Sequence, residues 1–152
     1  MLLPLRAHQS ISKVNTVFKR ASAQVDLEVQ SDYAKYLVIR ICGLVEQVVL
    51  EVVQTHTSSR STPQISNHVA WRMGMFQNPN IEKLLQLAGS FDKSWRAQLD
   101  TEFTEPERVA LGSITTQRNR IAHGGDSTIS LGQVQQYYAE VLSLMGKFAD
   151  PF

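Results

Sequence analysis

The segment Thr115-Thr116-Gln117-Arg118-Asn119-Arg120-Ile121-Ala122-His123-Gly124 gathers the side chains of this sequence best suited to chemistry. A histidine with its ordinary pKa, about 6.5, takes up and releases protons near neutral pH. Arginine carries a fixed fork of donors that matches the oxygens of a phosphate or carboxylate. On a helix, residues four apart sit one above the other, so Asn119 and His123 share a face. Arg118 lies about 140° round from His123 by the helical period, yet its side chain is long enough to curl toward the same spot. Arg120 is also within reach of His123, and spacing does not choose between the two arginines. The same residues have a plainer use. Cations in a last helical turn offset the negative end of the helix dipole, and Gly124 is an ordinary left-handed terminator.

Apolar spacing and punctuation predict the elements that must hold this segment. Ile11, Val14, Phe18, Ala21 and Val25 recur at helical steps, predicting a first helix from about Ser10 to Leu27 after a loose start of about nine residues. Ser31 or Asp32 caps a long second helix through Thr55. Thr62-Pro63 opens a third, with Ile65, Val69, Met73 and Phe76 on one face. Asn78-Pro79-Asn80 breaks the chain and caps a short helix that ends at Gly89, and Phe91 to Leu99 makes another. Thr104 and Glu107 form a capping box for the helix that carries the segment and ends at Gly124-Gly125. Ser130 and Gln133 form a second box, and the last helix turns Val134, Tyr137, Tyr138, Val141, Met145 and Phe148 inward before Asp150-Pro151. No stretch alternates with period two, and even Val48-Val49 to Val52-Val53 continues a helical pattern. The fold class is all-α, a bundle of about five to seven helices in one domain.

Composition narrows the functional classes. A 152-residue chain that is 43% hydrophobic and 19% charged is an ordinary globular protein. Its net charge of +1 rules out a polycationic coat, so any nucleic-acid contact would need a local patch. The lone Cys42 cannot close an intramolecular disulfide, which suits a reducing cytoplasm, and reads as a packed small hydrophobe. No Cys/His or carboxylate cluster has metal-ligand spacing, so no metal or cofactor is expected. The run Leu37 to Val53 carries Arg40, Glu46, Gln47 and Glu51, too many polar groups for a membrane span. The stretch from Met1 to Gln24 holds Arg6, Lys13, Lys19 and Arg20 with no acid, like a transit peptide, but its apolar spacing is that of a packed helix.

The run Arg118-Asn119-Arg120-Ile121-Ala122-His123-Gly124, near the end of a penultimate long helix, resembles the signature of the HEPN superfamily. The chain is similar to its RiboL-PSP-type branch in three further features: the long second helix with Gly43 and Glu46, the Phe76-Gln77-Asn78-Pro79-Asn80 turn, and the Tyr-rich final helix after Ile129-Ser130. The resemblance spans roughly Ser10 to Phe148. It implies a helical bundle that pairs as a homodimer, two motifs facing each other across a cleft that takes RNA, and metal-independent cleavage in a bacterial defence or toxin–antitoxin setting. His123 is then the general acid/base, Arg118 the phosphate clamp and Asn119 the residue that positions either. Acid and base roles need two groups, and a two-fold axis would bring a second His123 to the cleft. A cognate antitoxin or a nucleotidyltransferase-type protein is the implied partner. The alternative is a catalytically silent dimer that binds a nucleotide, RNA or such a partner.

Arg120 and Glu46 are the supporting candidates. Glu46 falls within an apolar stripe of Ile39, Cys42, Val49 and Val53, and a carboxylate facing inward needs a partner, with Arg118 or Arg120 the obvious one. It would orient the motif arginine, fix helix packing as a buried pair, or reach solvent at the stripe's edge. Arg40, Gln47, Glu51 and Gln54 read as a solvated face, with Arg40 a possible cleft residue. Lys13, Lys19 and Arg20 give the first helix a positive sector that could track an RNA backbone. His8, His56 and His68 read as ordinary histidines. Trp71 and Trp95 could stack bases, but their places in amphipathic helices favour core packing.

Overall fold

The computed structural model describes residues 3–150. Seven helices account for the regular structure: α1 Leu5–Ser22, α2 Leu27–Ser58, α3 Pro63–Met73, α4 Ile81–Phe91, α5 Lys93–Glu102, α6 Glu105–Ala122 and α7 Leu131–Phe148. There is no strand among the described residues. The long α2 is the axis of the bundle, with α1, α3, α6 and α7 packed around it, while α4 and α5 form a hairpin against α6 and α7. This explains why its buried positions spread over most of its circumference, from Ala34, Leu37 and Val38 to Val52 and Val53, instead of keeping to one stripe. Ile39, expected within that stripe, is 43% exposed.

The helix ends follow their capping chemistry more closely than the apolar spacing. α1 starts at Leu5 behind Pro4, with Ala7 fully buried, so the predicted loose start is helical from Leu5 on. Its C-terminus comes early because Asp26, not Ser31 or Asp32, caps α2, accepting the N–H groups of Glu28 and Val29 at 2.8 and 3.3 Å. That cap turns the chain at residues 23–26 and leaves Val25 96% exposed, outside the face it was assigned. Gly89 does not stop α4; the break falls at Asp92, whose carboxylate takes Ser94 N–H and so opens α5. Both predicted capping boxes form, Thr104 with Glu107 and Ser130 with Gln133.

Trp95 packs in the core against Phe148, ring centres 5.1 Å apart. Trp71, in contrast, is 60% exposed: α3 is covered by α2 alone, so only its inner face, ending in Met73, is shielded. Gln47 and Glu51 are not on a solvated face. Ser10 Oγ donates to Gln47 Oε1 at 2.6 Å, Gln47 Nε2 donates to Glu51 Oε1 at 3.2 Å, and α1 covers this line. A second polar cluster locks α6 to α7. The fully enclosed Glu107 accepts from Lys147 Nζ at 2.9 Å, from Ser143 Oγ at 2.7 Å and from Thr104 N–H at 2.8 Å. Burial works against its charge, but these three donors outweigh it and hold the carboxyl below its ordinary range. The two helices that bracket the motif are therefore fixed to each other by charge as well as by apolar packing.

Candidate functional site

His123 is the C-cap of α6, and the turn after it is built to hold it there. Gly124 adopts φ 74, which side chains with a Cβ avoid. Gly125 N–H donates to Arg120 C=O at 2.8 Å and Gly124 N–H to Ile121 C=O at 3.2 Å, the paired bonds of a Schellman ending. The following loop is tied back by Ser127 Oγ donating to Gln117 Oε1 at 2.7 Å, with Ser127 buried. Backbone position is thus set from both sides while the imidazole stays exposed. Among the described residues, the His123 side chain makes no hydrogen bond or ion pair.

Arg118 is half-buried, one turn back, and donates to Asn119 Oδ1 at 3.5 Å. That is a long, weak bond. Asn119 thereby steadies the arginine, and its link to His123 is through the backbone, accepting the His123 N–H at 3.1 Å. Arg120 projects to solvent. Neither Arg118 nor Arg120 has a carboxylate within ion-pair distance among the described residues.

Glu46 does not pair with either arginine. Its Oε1 accepts the backbone N–H of Asn78 at 2.9 Å, and Asn78 stands at φ 52 in the turn between α3 and α4. The physical reason is local: an Asn-Pro break leaves a donor with no helical acceptor, and the half-buried carboxylate of α2 lies beside it. Arg118 is nevertheless nearby. Burial pushes the Cys42 thiol up to about 12; the Arg118 charge pulls it back, and the Glu46 charge pushes it further up. Arg118 and Glu46 thus both act through their charges on the same buried thiol of α2, and they form no ion pair with each other.

The other basic candidates lie elsewhere on the surface. Lys13, Lys19 and Arg20 are exposed on α1, which packs on α2 and α7 but makes no close approach to α6. Lys19 borders a polar depression of about 630 Å³ between α1 and α7 with Asn15, Thr16, Gln135 and Tyr138. Arg40 borders one of about 340 Å³ with Ser10, Gly43 and Gln47, its guanidinium 6.0 Å from the Tyr36 ring centre. Within one chain, then, the positive sector of α1 and the α6 motif are separated by the α2–α7 layer. A third depression, about 470 Å³, does adjoin the motif helix and is lined by Ser113, Thr116, Gln117, Thr128, Gln133 and Tyr137.

Two residues of this site were not legible beforehand. Gln117 acts through Ser127, ten positions on, and Asn78 acts through Glu46, and neither spacing carries a periodic signal. Chemically, the site offers an exposed imidazole, a guanidinium five residues earlier on the same helix whose one bond is the long one to Asn119, and no carboxylate paired with either among the described residues. Among the described residues, no group of three or more His, Cys, Asp or Glu is arranged to hold a metal ion, and no helix is long and apolar enough to cross a membrane. In comparisons with known proteins, the family model described as RiboL-PSP-HEPN matches residues 6–150. No curated protein and no solved structure matches.

Proposed function

The chain belongs to the RiboL-PSP-HEPN family, and we propose that it is an endoribonuclease that cleaves RNA through the substrate's own 2′-OH, at a cleft where two copies bring their His123 residues together. The observation that supports this reading is that neither Arg118 nor His123 has a carboxylate partner among the described residues, and the one side-chain bond of Arg118 is the long one to neighbouring Asn119. A histidine and arginine kept only for a helix end would be expected to rest against the terminal carbonyls, whereas here Gly124 and Gly125 already satisfy Ile121 and Arg120.

The chemistry follows from these groups. One His123 takes the proton from the 2′-OH as its oxygen attacks phosphorus, and the other gives a proton to the departing 5′-oxygen. Arg118 presents its fork to the non-bridging oxygens, where charge builds in the transition state. Asn119 limits where that fork can swing. The products are a 2′,3′-cyclic phosphate and a free 5′-OH. The setting we propose is a bacterial toxin–antitoxin or defence system, with a protein antitoxin or nucleotidyltransferase-type partner holding the dimer in check.

Cleavage of a labelled single-stranded RNA in EDTA tests the mechanism, comparing wild type with His123→Ala and Arg118→Ala. Both side chains lie outside the core, so both variants should fold normally. Cutting by wild type alone, with a cyclic phosphate end, is the expected outcome. A folded wild-type dimer inert across several RNAs would overturn it and favour the silent binding dimer. Growth arrest on expression that His123→Ala abolishes would support the toxin setting.

A further inference from the structure

We propose that the outer face of α3 is a base-stacking platform for single-stranded RNA, with Trp71 as the stacking ring and Arg72 as its phosphate contact. This rests on the reading of RNA as substrate and extends it to a second contact region. Ile65, His68, Trp71 and Met75 recur at three- and four-residue steps along one side of α3 and the turn after it, so they form one strip. All are exposed, Trp71 at 60%. The indole is braced by His68, ring centres 5.6 Å apart and tilted by 38°, which holds it in place without covering it.

Charge selects the occupant. No Asp or Glu occurs from Val52 to Ile81, while Arg60, Arg72 and two histidines do. Arg72 lies along Met75, its Nη1 3.8 Å from Sδ, and has no carboxylate partner among the described residues. A flat aromatic beside an uncompensated guanidinium suits a ligand with flat faces and a negative backbone, which describes a single nucleic-acid strand. A second copy of the same strip would bring like charges together. Position agrees with this choice. The chain leaving α3 reaches Asn78, whose N–H is held by Glu46 of α2 at 2.9 Å. The turn that follows the strip is thus tied to α2, the helix against which the motif helix α6 packs.

The test is titration of His123→Ala protein, which should leave the probe intact, with a 12-nucleotide oligouridylate while reading tryptophan emission. Trp95 is buried, so quenching reports Trp71. Quenching is expected; for the variants that lack Trp71, binding is read from the anisotropy of the same strand carrying a fluorophore, with Trp71→Ala weakening it roughly 5- to 100-fold and Trp71→Phe retaining most of it. Arg72→Gln should keep the quenching but flatten the salt dependence by about 0.7 in the log–log slope. No quenching by oligouridylate or oligoadenylate, or unchanged binding in a folded Trp71→Ala, would overturn the platform. So would a change of oligomeric state on Trp71→Ala, which would assign the strip to a protein interface. The two readings fail separately. RNA cleavage with an unchanged KM in Trp71→Ala removes the platform alone, while quenching in a wild type that never cuts removes the nuclease alone.

Discussion

Replacing Glu46 with alanine should loosen the turn between α3 and α4, because the carboxylate is the acceptor for Asn78 N–H at 2.9 Å. Removing one partner of a buried hydrogen bond costs about 1–3 kcal/mol, toward the upper end when the acceptor is charged. Both residues are only half-buried, so water can partly replace the lost oxygen, and about 1.5–2 kcal/mol is the expected loss. For a domain of this size that lowers Tm by roughly 3–8 °C. Glu46→Gln keeps an oxygen in the same place and should lose less than half as much. Urea unfolding of the three proteins, followed by circular dichroism, measures this directly. If Glu46→Ala is as stable as wild type, the tether is not holding the turn. If Gln and Ala fall by equal amounts, charge rather than acceptor geometry is what matters, and the reasoning from the Asn78 bond fails. A fully stable Glu46→Gln that binds RNA but loses kcat would instead give Glu46 the arginine-positioning role that its place on α2 suggested.

Lys147→Met should destabilise by about 2–3 kcal/mol in a urea titration, since it strips the ammonium from enclosed Glu107; the 29% exposure of the Lys147 side chain keeps this below the full figure for a buried pair. Because the folded-state pKa of Glu107 is depressed, its stabilisation is complete above the ordinary glutamate pKa of about 4.3 and fades as pH falls through the lower folded value. Urea midpoints between roughly pH 6 and pH 3 should therefore drop more steeply in wild type than in Glu107→Gln, and parallel curves would refute the assignment. With its thiol pushed up to about 12 by burial, Cys42 should resist iodoacetamide near neutral pH until urea unfolds the chain; rapid labelling of the native protein would contradict the packing around α2. Gly124→Ala forces a Cβ into φ 74 and should cost about 1–2 kcal/mol, with Gly124→Asn milder, and an unchanged melting temperature would mean the ending can rearrange.

Much of the fold was written in local chemistry. The two capping boxes, the Thr62-Pro63 start and the Gly124-Gly125 ending act within a turn of themselves, so they read directly from residue types and occur as expected. The motif was legible for the same reason: one helix carries Arg118, Asn119 and His123 at fixed spacing, and that spacing is a property of the helix itself. The apolar spacing carries the first helix through to Leu27 and so puts the start of α2 too late, at Ser31 or Asp32, whereas Asp26 is the cap.

What lay beyond reach was decided by neighbours distant in sequence. Whether an amphipathic helix buries its tryptophan depends on how many helices surround it, so Trp95 is enclosed while Trp71, on a helix flanked by α2 alone, faces out. Whether Glu46 meets an arginine depends on which unsatisfied donor stands closest in space, and a turn 32 positions away supplied it. Likewise α1 and α6 sit apart because α2 and α7 lie between them, a separation that no periodicity encodes. Helix-forming patterns and caps are short-range, with energies set by residues one turn apart, and the sequence determines them. The partner of a buried polar group and the exposure of a face depend on the packing of the whole bundle, and only the tertiary structure decides them.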